Sequence, residues 1–403
     1  MDIEKITTTC CIAGGGPAGI MLGFLLARAG IETIVIEKWP DFFRDFRGDT
    51  IHPSTMEILN ELGLLQDFLS LPHDETYQLE ALIGTNKVVI ADFSKLKVQC
   101  PFIAFIPQWD FLNFIAKHAK QYPHFHLMMN TEVTDIIQDQ NKVIGLRAKS
   151  KDTQFDIYAE LVVAADGRHS TVRGKSLLLP QTLSAPMDVL WFKLRRETTD
   201  PKQSLGRIDA GKILVMLERG DYWQCGFLIR KNQYDQYREA GIKEFHRHLE
   251  ELLPNMHERI EEITDWEQIK LLQVTVDRLS QWYKPGLLCI GDAAHAMSPI
   301  GGVGINLAIQ DAVASANILI PAFQKNEYSE VCLQAIQKRR EFPTRFIQAL
   351  QVFIQNRVID RTLGNTKQIK LPLVFKLLQK FPLLRRIPAY LVGIGIRAEH
   401  INE

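Results

Sequence analysis

Thr9-Cys10-Cys11-Ile12-Ala13-Gly14-Gly15-Gly16-Pro17-Ala18-Gly19-Ile20 places a glycine-rich turn between a short apolar run and a second segment, in which Ile20, Leu22, Leu25 and Leu26 recur at helical spacing up to Gly30. Thr33-Ile34-Val35-Ile36 is a further apolar run, closed by Glu37 and Lys38. Strands without polar alternation suit a parallel sheet covered on both faces, so the stretch reads as a β-α-β unit. In Gly14-x-Gly16-x-x-Gly19 the first glycine allows a tight turn and the second lets backbone approach a pyrophosphate. The third packs helix on strand, while the helix start at Pro17 and Ala18 offers N–H donors and positive potential. Glu37, 18 residues after the last glycine, can accept from ribose hydroxyls. Ile6 to Ala27 is also 22 residues without a charge, long enough to cross a bilayer. The Gly14–Pro17 interruption and the mixed charges Asp2, Glu4 and Lys5 favour strand, turn and helix instead.

Two more glycine–aspartate motifs lie downstream. Val162-Val163-Ala164-Ala165-Asp166-Gly167 is an apolar strand ending in Asp-Gly, followed by Arg168, Arg173 and a helix with Ser170 as its N-cap. Leu287-Leu288-Cys289-Ile290-Gly291-Asp292 repeats the pattern, and Pro299-Ile300-Gly301-Gly302-Val303-Gly304-Ile305-Asn306 then opens a helix beginning at Leu307. Glycines there leave backbone N–H groups bare, and a helix N-terminus favours an adjacent anion. Helices are expected at Ser54–Leu62, with a Ser54/Glu57 capping box, and from Trp109 to Lys120. Lys212–Arg230 reads as a hairpin turning at Glu218-Arg219-Gly220-Asp221, with a second turn at Asp209–Lys212, which implies a mainly antiparallel sheet inserted into the first domain.

These motifs, with Arg47-Gly48-Asp49 and Gln108-Trp109-Asp110, resemble the class A FAD-dependent aromatic monooxygenases, the p-hydroxybenzoate hydroxylase-like and ubiquinone-pathway hydroxylase-like family. The resemblance implies an α/β fold: a Rossmann-like, glutathione-reductase-type FAD domain, an inserted antiparallel substrate domain and C-terminal helices. The expected segments are 1–72, 104–180 and 275–330 for FAD, 73–103 and 181–274 for substrate, and 331–403 for the helical region. It further implies FAD held by Gly14, Gly16, Pro17, Ala18, Gly19, Glu37 and Lys38 at the adenosine end. Arg47 and Gln108 then lie towards the flavin, Asp166 serves both FAD and NAD(P)H, and Gly291-Asp292 holds the ribityl chain. Pro299, Gly301, Gly302, Val303, Gly304, Ile305 and Asn306 lie against the isoalloxazine. NADPH or NADH and O2 are the implied co-substrates, acting through a flavin C4a-hydroperoxide on an aromatic or other hydrophobic small molecule. Such chemistry resides in the cofactor, so no metal or Ser-His-Asp set is expected. Pro299 and His52 are the candidate catalytic residues. Trp191, Tyr222 and Trp223 fall in the substrate sheet, facing either ligand or ordinary packing, and His295 is expected behind Asp292.

Composition sets the outer limits. The 403 residues suit two or three domains, and 47 basic against 47 acidic residues leave no bulk charge for nucleic acid. Six cysteines without a C-x-x-C pair fit a reduced, cytoplasmic protein. A reductase of unsaturated isoprenoids on the same fold is the alternative, although Tyr222–Phe227 lacks the Tyr-x-Trp-x-Phe-Pro element of that branch. A halogenase would need a Trp-x-Trp-x-Ile-Pro element, which does not occur, and a degenerate scaffold would not need intact motifs. Residues 361–398 carry eight basic and no acidic side chains, so the remaining 365 sum to −8. Pro372, Pro382 and Pro388 cut this segment into pieces too short to span a bilayer. It reads either as a peripheral membrane contact or as a helical layer packed on the FAD domain with solvated cations.

Overall fold

Ile3–Ala13 is the central strand of a parallel sheet in a computed structural model of the chain, which describes residues 3–43, 48–183, 185–200, 205–209, 211–364 and 371–402. Thr33–Ile36 and then Phe125–Met128 lie on one side of it, and Thr153–Ala164 and then Leu287–Cys289 on the other, all parallel. In chain order these five strands stand 3-2-1-4-5, the doubly wound order of a Rossmann-like domain. The missing alternation has its cause here. Cys10 and Ile12 enter the core on one face of the strand, and Cys11 and Ala13 enter the core on the other. Helix Pro17–Arg28 buries ten of its twelve residues against the first face, beside helix Gly304–Gln324. The stretch Ile300–Gln324 is long and apolar enough to cross a bilayer by composition, but 78 % of its apolar 18-residue window is buried inside the protein.

A second, seven-stranded sheet has the order 270–272, 187–195, 222–230, 212–218, 205–209, 78–83, 86–92. Every pairing is antiparallel except Leu205–Asp209 with Gln78–Ile83. The expected hairpin is present, as Lys212–Glu218 against Tyr222–Arg230. Alternation divides this sheet's residues. Phe192, Leu214, Trp223 and Phe227 pack under Phe245 and Leu249 of helix Ile242–Leu252. Val189, Trp191, Ile213, Val215 and Leu228 face the opposite way, towards Ile300 of the glycine loop. Trp223 is thus a core residue whose indole donates to Asp200 at 3.0 Å, whereas Trp191 lies on the loop side.

Three local expectations are corrected. Helix Pro53–Glu61 is led by His52 and Pro53 rather than capped by Ser54, because proline at the first helical position is already preset for the helix. Glu57 is drawn away to accept from the Gln99 N–H at 2.7 Å. The helix after the glycine loop starts at Gly304, three residues before Leu307. The C-terminal pieces Leu373–Lys380 and Arg386–Gly393 lie chiefly on the edge of the seven-stranded sheet rather than over the parallel one, with Val392 reaching Met297, Val303 and Leu307. On that edge Leu371 and Phe375 cover Ala81, Ile83 and Val88, and Gln379 donates to the Lys87 carbonyl at 3.1 Å.

The chain's end returns to the first domain. Glu399, 3 % exposed at its side chain, accepts from Arg339 at 2.9 Å and from the fully buried Arg340 at 3.1 Å. Without Glu399, Arg340 keeps Asp311 but one of its buried N–H donors loses its acceptor, at about 1–3 kcal/mol. Glu399→Ala is therefore expected to lower unfolding stability in urea by about that amount, and Glu399→Gln by clearly less. Equal, small effects of both variants would show that the buried charge pair is not what holds the tail.

Candidate functional site

Gly14, with φ +102°, holds the tight turn; a Cβ there would meet the Ala165 carbonyl oxygen at 2.4 Å. Gly16 has nothing within 4 Å of the Cβ it lacks, so its open side faces a cleft. Helix Pro17–Arg28 begins at Gly16 without a side-chain cap, and helix Gly304–Gln324 begins at Val303 likewise uncapped. The two starts converge: a Cβ on Gly291 would lie 3.2 Å from Ala18 and 3.3 Å from Ala308. Two uncapped helix N-termini around one cleft offer N–H donors from backbone alone, as an anion requires. Glu37 accepts from Gly15 N–H at 2.9 Å and Trp39 N–H at 3.2 Å, so it steadies the turn. Lys38 is exposed, its ammonium 5.2 Å from the Trp39 ring centroid.

The second and third motifs join across this cleft. Asp166 Oδ2 accepts from the Thr171 and Val172 N–H groups at 2.8 and 3.3 Å, capping the helix that Ser170 also caps. Its Oδ1 is buried with no protein partner, an acceptor left for a ligand, and burial raises its pKa despite those bonds. Arg168 reaches Asp292 at 3.4 Å. Arg173 is buried and donates to the carbonyls of Ala293 at 3.1 Å and Arg168 at 2.6 Å, so it staples the two motifs together. Asp292 stays part-exposed at the rim. His295 lies behind it, fully buried, with Nε2 2.6 Å from Asp311. Asp311 also accepts from Gly291 N–H at 3.1 Å and from Arg340 at 2.9 Å. Burial alone would raise the Asp311 pKa, but His295 and Arg340 outweigh it and hold the carboxyl below its usual range.

The glycine loop is gripped from behind. Buried Gln348, Gln351 and Gln355 project from one helical flank. Gln348 donates to the Ala296 carbonyl at 3.2 Å. Gln351 accepts from Ser298 N–H at 3.2 Å and donates to the carbonyls of Ser298 and Ile300 at 3.0 and 2.9 Å. Gln355 donates to Ser298 Oγ at 2.7 Å. On the other flank Asn306 Oδ1 accepts from His52 N–H at 2.9 Å and Thr55 Oγ at 2.7 Å, its amide donates to the Thr50 carbonyl at 3.1 Å, and Thr50 Oγ donates to the Gly302 carbonyl at 2.9 Å. Asn306 is therefore a clamp rather than a group facing the cleft. Pro299 and Gly301 are exposed, and Gly302 and Gly304 half-exposed, beside buried Val303 and Ile305.

His52, a candidate catalytic residue, is 0 % exposed. Its Nδ1 lies 2.7 Å from the Val392 carbonyl, which can only accept, so the proton sits on Nδ1. Burial lowers its pKa to about 4. The ring is a neutral tie between the strand at 50–51 and the C-terminal segment. Gln108 leads helix Gln108–Ala119, and its N–H is held by Asp49 at 3.1 Å. The other oxygen of Asp49 meets Arg219, from the hairpin turn, at 2.5 Å, both side chains 6 % exposed. Burial nevertheless raises the Asp49 pKa against the pull of Arg219. This inter-sheet pair escaped sequence reading, since an arginine in a polar turn looks solvated. Arg47 lies outside the described residues.

These features meet the needs of FAD: an orphaned buried carboxylate oxygen, converging helix starts, and a turn without side chains. The FAD binding domain family model matches residues 7–349. The chain is 28 % identical to 6-methylpretetramide 4-monooxygenase of Streptomyces rimosus, covering 98 % of this chain and 96 % of that protein. It is 26 % identical to para-nitrophenol 4-monooxygenase of a Pseudomonas strain, over 82 % of each chain. The solved p-nitrophenol 4-monooxygenase of Pseudomonas putida shares the fold, with TM-score 0.77, 20 % identity and coverage of 96 % and 97 %.

Two outcomes follow from the geometry. Gln351→Ala strands three polar groups, each costing about 1–3 kcal/mol when left unsatisfied. It is expected to halve or abolish retained FAD, read as flavin absorbance per protein after gel filtration, with far-ultraviolet circular dichroism unchanged; full flavin retention would refute the loop's dependence on it. His52 takes up its proton near pH 6.5 when unfolded but near 4 when folded, so the unfolded state is favoured as pH falls through that window. The contribution lost is about 3 kcal/mol. His52→Asn is expected to flatten the pH dependence of unfolding free energy between 6.5 and 4 relative to the parent, and parallel curves would exclude a buried neutral His52.

Proposed function

Since the chain belongs to the FAD binding domain family of FAD-dependent aromatic monooxygenases, we propose that it hydroxylates a hydrophobic aromatic small molecule, with NADPH or NADH as reductant and O2 as oxidant. The observation that carries the reading is the apolar sheet face set opposite the glycine loop, with Trp191 and Val215 in one cluster with Ile300. Bound FAD would accept the hydride and activate oxygen for transfer of one atom to the ring. Everything else falls to this chain's residues. The helix starts at Gly16 and Val303 face the negative charge of pyrophosphate and reduced ring. Gly14, Gly16, Pro17, Ala18, Gly19, Glu37 and Lys38 take the adenosine end, Asp166 and Gly291-Asp292 the central hydroxyls. Pro299 and Gly301 to Asn306 would form the backbone wall of the ring, and Arg47 and Gln108 are the further flavin-side residues of this reading. His52, Asn306 and the three glutamines act by positioning that wall.

Trp191, Val215 and Gly226 would form the aromatic-facing surface. A Cβ on Gly226 would sit 3.1 Å from the Trp191 ring, so the glycine lets the indole lie flat on the sheet. The segments 1–72, 104–180 and 275–330 serve FAD, and 73–103 with 181–274 serve substrate, in this reading.

The test is oxidation of NADH and of NADPH by the FAD-loaded protein in air, with hydrogen peroxide quantified, across nitrophenols, 6-methylpretetramide and prenylated phenols. Stimulated oxidation with little peroxide and a product heavier by one oxygen is expected for one class. No oxidation of either nucleotide by a flavin-replete protein would overturn the proposed reductant.

A further inference from the structure

Residues 373–390 hold eight of the eighteen large hydrophobic side chains that stand exposed among the described residues. Leu383 is 84 % exposed, Leu373 72 % and Ile387 59 %. Helical periodicity puts Leu373, Val374 and Leu377 on one face of Leu373–Lys380, with Phe381 just past its end. Phe375 and Leu378 turn the other way, into the protein. Lys376 and Lys380 flank the outward face, Arg386 follows exposed in the next turn, and no Asp or Glu occurs between 361 and 398. The segment is firmly seated: Ala389 is fully buried with Phe93 and Phe105, and Arg385 donates to the Leu378 carbonyl at 2.9 Å.

Exposed hydrophobic side chains on a soluble surface are ordinarily scattered singly. A contiguous apolar strip edged by cations, on pieces too short to span, has the make-up of an interfacial segment. We propose that residues 371–390 dock the protein on an anionic lipid bilayer, with Leu373, Leu377, Phe381, Leu383 and Ile387 entering the acyl boundary. The lysines and Arg386 then meet lipid phosphates. The one-sided charge chooses this occupant. A second copy of the chain would bring the same cations face to face across a two-fold interface, whereas an anionic leaflet attracts every one of them.

The docked face lies next to the cleft. From Tyr390 the chain runs inward to Val392, whose carbonyl holds His52, and Val392 comes within 3.9 Å of a Cβ position on Gly301. A lipophilic substrate dissolved in the bilayer would thus arrive beside the glycine loop. Lipid docking is measured apart from catalysis and stands or falls independently of the hydroxylase reading.

The full-length, FAD-loaded protein is floated with vesicles of phosphatidylcholine alone and of phosphatidylcholine mixed with phosphatidylglycerol. Flotation with the anionic vesicles only, reversed by high salt, is expected. Each cation near such a surface contributes about fivefold in partitioning, so Lys376→Glu with Arg386→Glu is expected to cut binding roughly 30-fold or more. Leu377→Ser with Leu383→Ser is expected to release the protein while flavin content and thermal midpoint stay at parental values, since these sites are exposed. Parental protein that ignores anionic vesicles would overturn the proposal, as would binding that is unchanged in both variants. So would light scattering that shows a dimer dispersed by Leu383→Ser in a protein that does not float.

Discussion

Asp311 is a carboxylate with no exposed atom, and the site is organised around keeping it charged. Its helix, Gly304–Gln324, starts at the glycine loop, so the carboxylate sits about two turns inside the wall of the cleft. Burying such a charge costs several kcal/mol unless it is paired and hydrogen-bonded, and three donors meet the cost here: Arg340, His295 and the N–H of Gly291. The third fixes the turn that presents Asp292. The first draws in the long helix Glu330–Ile354, and through Glu399 it draws in the end of the chain. A residue pointing away from the cleft thereby sets the position of one pointing into it.

The same arrangement explains why the glycine loop can be bare. Its carbonyls and N–H groups need partners, and in a ring-binding wall those partners must not project forward. Gln351 supplies both donor and acceptor from behind, and from the side the Thr50 hydroxyl and the Asn306 amide donate to the Gly302 carbonyl. With hydrogen bonding satisfied at the rear, residues 299–304 can present backbone and proline to a planar ligand. The uncapped start of Gly304–Gln324 contributes its dipole without a competing side chain.

Much of this was legible from the chain alone, and the dividing line is physical. Gly14-x-Gly16-x-x-Gly19, Asp166-Gly167 and Gly291-Asp292 each mark a strand-to-turn junction where local backbone demands and ligand demands coincide. A short window therefore reveals both, and the parallel sheet follows from apolar runs buried on two faces. What stayed hidden acts over long sequence distances. Asp49 and Arg219 are 170 residues apart, and Gln351 and Ser298 are 53 apart. Arg219 in a turn and Gln351 in a helix have the composition of solvated surface, and only tertiary packing reverses that. The i, i+3, i+7 spacing of Gln348, Gln351 and Gln355 was the one available signal, a polar stripe at core periodicity. His52 shows the opposite error: its chemistry suggested catalysis, and its burial gives it a tie instead.

The Asp49–Arg219 pair ties a small three-stranded sheet, of order 50–51, 103–105, 74–76, to the seven-stranded one. One partner belongs to the strand-turn that carries Thr50 and His52, the other to the hairpin of the seven-stranded sheet. Asp49 also fixes the start of the helix led by Gln108. Because burial already raises the Asp49 pKa against the attraction of Arg219, the pair offers little net stabilisation over an apolar contact of the same shape. Its value lies in direction. An apolar contact tolerates sliding, whereas a guanidinium–carboxylate contact 2.5 Å long permits one alignment. That alignment fixes the strand-turn carrying Thr50, whose hydroxyl holds the Gly302 carbonyl, relative to the sheet that carries Trp191.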